Sequence, residues 1–179
     1  MKVLIAISRA IDALNERIGR SVLWLVVVTT AVSAANAVSR YALGMASNAW
    51  LELQWYLFGA IVLLAAGYTL KHNGHVRIDL VYTHLSPRMQ AWIDLIGGMV
   101  FLLPLCVLMI WFSWPIFVDS FQHHEMSSDA GGLIRWPARL LTPLGFLLLA
   151  LQGVSEVIKR AAFLRGIDLL THEKPTEEV

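Results

Sequence analysis

The sequence predicts an all-α polytopic membrane protein with four transmembrane helices, both termini cytoplasmic, and an amphipathic helix on the membrane surface at its N terminus. Three observations predict it. The first is composition: of 179 residues 57% are hydrophobic and only 15% charged, with a mean hydropathy of +0.62, too oily for a soluble domain. The second is the spacing of charges. Crossing the hydrocarbon takes roughly 20 mostly apolar residues, and uncharged runs of 19, 18, 24 and 16 residues separate Arg20 from Arg40, Glu52 from Lys71, Asp94 from Asp119, and Arg139 from Glu156. The third is the placement of the cations. Lys2, Arg9, Arg17 and Arg20 precede the first span, Lys71, Arg77 and Arg88 lie in the second connection, and Lys159, Arg160, Arg165 and Lys174 follow the last. Only Arg40, Arg135 and Arg139 fall on the other side, so the positive-inside rule places both termini in the cytoplasm.

These windows give one membrane domain over residues 1–170, with spans at about 21–39, 51–70, 92–118 and 139–158, and a polar tail at 171–179. Residues 1–18 carry Val3, Leu4, Ile7, Ile11, Leu14 and Ile18 at helical spacing opposite Lys2, Arg9, Asp12, Glu16 and Arg17. They read as a surface helix or, alternatively, as an extension of the first span. The small-residue stretch AVSAANA at 31–37 is not expected to be a leader cleavage site, because Asp12 and Glu16 lie in what would be the n-region. Within the first span Thr29, Ser33, Asn36 and Arg40 form one stripe suited to packing against other helices. On the second, Glu52, Trp55, Gly59 and Ala66 share a face that is a packing candidate. The inner connection alternates Val76, Ile78 and Leu80 with Arg77 and Asp79, then turns at Ser86-Pro87 into the third helix. That helix contains Pro104 and Pro115 and is longer than the hydrocarbon requires, so it should tilt or kink. The fourth window is short, and Arg139 can snorkel to extend it. Six tryptophans, at 24, 50, 55, 92, 111 and 114, lie near span ends, where amphipathic rings favour the headgroups.

Several chemistries lack their residues. No phosphate-binding loop, zinc-protease helix or nucleophile elbow occurs, so the chain is not expected to be an enzyme, and no nucleic-acid partner is expected. The lone Cys106 offers neither a disulfide nor a thiolate metal site. A haem-bearing redox anchor needs histidines inside helices; here His72, His75, His84, His123, His124 and His172 all fall in connections or the tail. His123, His124 and Glu125 are adjacent on a loop, a weak pattern for a metal site.

Glu52 stands apart, at the mouth of an apolar helix. Intramembrane acids often mark proton or ion pathways, so a self-sufficient proton-coupled four-helix exporter is one reading. The position of Glu52, level with Arg40 at the outer rim, favours pairing with Arg40 or with a partner chain, and too few polar groups lie at mid-membrane to build a substrate path. An accessory subunit is the more economical reading.

Arg40-Tyr41, WLELQWYLF at 50–58, GHVRIDL at 74–80, SSDAGGLIRWP at 127–137 and the following LTPLGFLLLALQGVSE together resemble the small membrane subunit, of the DctQ type, of tripartite ATP-independent periplasmic (TRAP) transporters. The resemblance spans nearly the whole chain. The family's second-span motif often carries two neighbouring acids, whereas Leu51 and Leu53 flank a single Glu52 here, so a role for an acidic pair does not carry over. The resemblance implies a scaffold in the bacterial inner membrane for a sodium-coupled symporter of organic acids. A soluble periplasmic protein would capture the carboxylate, a large elevator-type membrane subunit would move it, and sodium would bind that partner, leaving no cofactor on this chain. It further implies a subunit interface at Arg40, Tyr41, Trp50, Glu52, Trp55 and Tyr56, with His75, Arg77 and Asp79 at the inner end. Ser127, Gly131, Gly132, Arg135 and Trp136 would face the binding protein or the rim of the large subunit.

Overall fold

A computed structural model of the protein describes residues 2–45, 47–74 and 82–167. It contains four helices long and apolar enough to cross a membrane: α1 (Lys2–Ala42), α2 (Asn48–Lys71), α3 (Pro87–Gln122) and α4 (Trp136–Leu164). Among the described residues there is no strand, only an isolated antiparallel bridge between Met126 and Ile134. The distribution of polarity is inverted relative to a soluble protein. Among the described residues, glycine and proline aside, eight polar or charged ones and five apolar ones are buried, while tryptophans, phenylalanines, valines and leucines crowd the exterior. Such a surface is stable where the surrounding solvent is itself apolar.

Helix α4 is the spine, packing against α1, α2 and α3, while α1 and α2 also pack along each other. Close approach depends on small residues. A Cβ at Gly145 of α4 would sit 2.8 Å from the carbonyl oxygen of Leu63 on α2, where backbone cannot give way. Gly145→Ala is therefore expected to force α2 and α4 apart at a cost of about 1–3 kcal/mol in thermal denaturation. Gly59→Ala, whose Cβ would meet nothing, should leave the melt unchanged.

Residues 2–20 form no separate surface helix: α1 runs unbroken through them into the apolar stretch. The reason is on their polar face, where Ser8, Asp12 and Asn15 are buried against α4 rather than lying in water. The stripe of the first span meets α2, with the Ser33 hydroxyl donating to Gln54 Oε1 at 2.9 Å. On α2 the buried positions are Glu52, Ala60 and Gly67. Trp55 and Gly59, on the face expected to pack, look away from the other helices of this chain. Helix α3 starts as its sequence requires: Ser86 is extended and caps the Met89 N–H at 3.4 Å, and Pro87 takes the first turn. Its irregularity is a π-helical turn over Gly98–Leu102, where the Leu103 N–H reaches Gly98 O. The turn lies just before Pro104, which has no N–H to give Val100 and crowds its carbonyl.

Candidate functional site

The connections after α1 and after α3 meet at one end of the bundle, called here the loop end; the opposite end, called the terminal end, carries the start of α1 and the end of α4. After α3 the chain reverses through His124 (φ 46°) and returns as a narrow hairpin. The Ser127 N–H donates to Leu133 O at 3.0 Å and the Arg135 N–H to Glu125 O at 2.9 Å. At its tip the Asp129 N–H donates to Ser127 Oγ at 3.2 Å, the Gly132 N–H donates to Asp129 O at 3.0 Å, and Gly131 takes a left-handed φ of 72°.

The hairpin closes on α2. Glu52, in the second turn of that helix and nearly buried, accepts the Leu133 N–H at 2.6 Å with one oxygen and the Ser127 hydroxyl with the other. Asn48, one turn earlier, donates its amide to Ala130 O at 3.0 Å. A Cβ on Gly132 would sit 2.7 Å from Glu52 Oε1, so glycine is what lets the loop reach the carboxylate. Beside this, Glu125 collects Arg139 at 2.6 Å and Arg135 at 3.4 Å, and Trp136 stands edge-on to Phe121 with ring centres 5.4 Å apart. Chemically this is a latch: two charge-assisted hydrogen bonds and an arginine pair hold a loop rigid over a helix end.

The residues expected at a site divide by the way they face. Arg40, Tyr41 (89% exposed), Trp50 and Trp55 (75% exposed) point out of the chain at the loop end, and Tyr56 is half-buried. Ser127, Gly132, Arg135 and Trp136 are half-buried in the latch, and Gly131 is exposed at its tip. His75, Arg77 and Asp79 lie outside the described residues. The expected pairing of Glu52 with Arg40 is not what forms. Arg40 makes no ion pair among the described residues, because the hairpin has brought its own donors to Glu52. Arg139 likewise turns to Glu125 instead of only reaching toward the interface.

A second constellation, at the terminal end, was not anticipated. Asp12 of α1 accepts Ser155 Oγ (2.7 Å) and Gln152 Nε2 (2.9 Å) on Oδ1, and Lys159 Nζ (3.0 Å) on Oδ2. Ser8 and Ser155 share a hydroxyl bond of 2.7 Å, Asn15 donates to Gln152 at 3.0 Å, and Glu156 holds Lys159 at 2.9 Å. Asp12 is 8% exposed and Lys159 3%. The signal was present in the spacing: Ser8, Asp12, Asn15, Gly19 and Val22 make a single stripe, and all five are buried. One turn further along, before the apolar stretch of α1, Glu16 gathers Lys71 and His72 at 2.9 Å and Arg20 at 2.8 Å. Among the described residues no three His, Cys, Asp or Glu side chains are grouped to hold a metal ion.

Comparison with known protein families identifies one that covers most of the chain. The model described as "Tripartite ATP-independent periplasmic transporters, DctQ component" matches residues 29–163, the greater part of the chain. Neither a curated protein nor a solved structure matches.

Proposed function

The chain belongs to the DctQ family, the small membrane component of TRAP transporters, and from that premise we propose that it is the fixed scaffold of a sodium-coupled organic-acid importer. In this reading both termini and the 171–179 tail are cytoplasmic, the loop end is periplasmic, and residues 1–170 are one domain. The start of α1 lies near the inner surface, with its outward face against headgroups. The large elevator-type subunit packs at the rim formed by Arg40, Tyr41, Trp50 and Trp55, and at the inner end near His75, Arg77 and Asp79. The latched hairpin carrying Ser127, Gly131, Gly132, Arg135 and Trp136 receives the periplasmic binding protein. Sodium and substrate belong to the partners.

One observation carries the reading: at the loop end the aromatic and cationic rim faces outward while the neighbouring acid is consumed internally. Large exposed aromatics beside an arginine are what a protein interface uses as anchors. The alternative, a proton-coupled exporter centred on Glu52, would require that carboxylate to exchange protons with a water path. Its two oxygens are instead occupied by the Ser127 hydroxyl and the Leu133 N–H.

Reconstitution tests the proposal. Uptake of the acid carried by the binding protein into liposomes is expected only with the large subunit, this chain and a sodium gradient together. Trp55→Ser should weaken association with the large subunit by about thirtyfold, a hot-spot aromatic contributing roughly 2 kcal/mol. Transport by this chain alone down a proton gradient would overturn the reading.

A further inference from the structure

At the terminal end, a cleft of about 290 Å³ lies between the end of α2, the first turns of α3 and α4. Its lining is graded along the helix axes. Asn73, Asp94 and Arg160 line it toward the terminal end, Glu156 is one turn further along α4, and Leu102 and Gly153 line it toward the middle of the bundle. Gly153 and Arg160 are seven residues apart on one helix, so the grade from charge to hydrocarbon extends over about 10 Å. Gly97 keeps the wall open, since a Cβ there would meet nothing within 4 Å.

The charges at this mouth are unequal. Arg160 pairs with Asp94 at 3.1 Å, and the Tyr82 hydroxyl donates to the same carboxylate at 2.7 Å. Glu156 borders the cleft as a second acid, and its nearest cation, Lys159, is shared with buried Asp12. Among the described residues Asp12, Asp94 and Glu156 thus share two cations, Lys159 and Arg160, which leaves one negative charge in excess beside an arginine that has donors to spare.

We propose that this cleft seats one phospholipid with a zwitterionic, primary-amine headgroup. Its ammonium meets Glu156, its phosphate meets Arg160, and its glycerol and first methylenes lie along Gly97, Leu102 and Gly153. The proposal rests on the membrane reading above, which brings this end to a bilayer surface. An anionic headgroup would add negative charge where acid is already in excess. A choline headgroup has no N–H to donate. A lone basic side chain from a partner protein would answer the charge but leave the apolar floor uncovered.

Native mass spectrometry of the purified chain, delipidated and titrated with phosphatidylethanolamine, phosphatidylglycerol or phosphatidylcholine, tests this. One ethanolamine lipid is expected to stay bound in preference to the other two. Glu156→Gln should weaken its retention by about tenfold, the worth of a hydrogen bond to a charged group. Gly97→Leu should abolish it while leaving the lipid-free melting temperature unchanged, which separates a blocked cleft from a misfolded chain. Equal retention of the three lipids would overturn the proposal, as would both variants binding like the parent. So would a cross-link from Glu156 to a basic residue of the large subunit in the assembled complex. Because lipid retention is read on this chain, its failure alongside normal copurification of the large subunit would sink the lipid site alone.

Discussion

Lys159→Met is expected to destabilise the purified chain by about 3–5 kcal/mol, the largest loss from any single substitution considered. Methionine keeps the length and volume of the lysine stem and removes only its charge. Asp12, 8% exposed on α1, then loses the ammonium 3.0 Å away, and Glu156 loses the same group at 2.9 Å. Two carboxylates would be left inside the helix contact, where uncompensated charge is most costly. The expected site of failure is the first half of α1, which this network holds against α4. Adding Asp12→Asn to Lys159→Met should recover at least half of the loss, because the asparagine oxygen still accepts from Ser155 and Gln152 without requiring a cation. Chemical denaturation in detergent reads both. A single variant as stable as the parent, or a double variant no better than the single, would show that the pair does not carry the contact.

Glu52→Ala is expected to free the hairpin without unfolding the helices. It removes the acceptor of the Leu133 N–H and the Ser127 hydroxyl together. Hydrogen bonds to a charged group contribute about 1.5–3 kcal/mol each. Some of that is regained when water reaches the rim, leaving roughly 2–3 kcal/mol, or amide exchange about a hundredfold faster across residues 126–134. Glu52→Gln retains a single good acceptor and should fall between. Exchange in the middle of α2 and α4 should not change. If residues 126–134 exchange at the parental rate in the alanine variant, Glu52 is not the latch.

The four helices were legible because lipid imposes a length: a chain must remain uncharged for about twenty residues to cross, and this one does so four times. The inward faces were harder to read. In a soluble protein apolar residues mark the core, but here the exterior is apolar too, so hydrophobic periodicity does not tell a face turned to this chain's other helices, that of Glu52, Ala60 and Gly67, from one turned away from them, that of Trp55 and Gly59. The better guide is the small and polar stripe, which located Ser33 against α2 and would have located Asp12 against α4 had residues 1–18 not been read as facing water. For Glu52, a place near the start of α2 followed from charge spacing. Its partners did not, because they come from a hairpin 75 and 81 residues away whose fold depends on one glycine meeting one carboxylate.

The π-turn of α3 has a further consequence, which is one of phase. Ala91, Gly98, Cys106, Ser113 and Ser120 step along the helix by seven, eight, seven and seven residues. Ala91, Cys106 and Ser120 are buried, and Gly98 lies against Val157 of α4. A regular helix would swing everything beyond the longer step by about 100°. The turn over Gly98–Leu102 absorbs that one residue, so a single straight seam follows α4 from end to end. It behaves as a skip residue in a heptad repeat. Excising any one residue of the turn would leave an unbroken α-helix with the same seam, while excising one residue anywhere else in α3 would turn half of that seam toward the lipid.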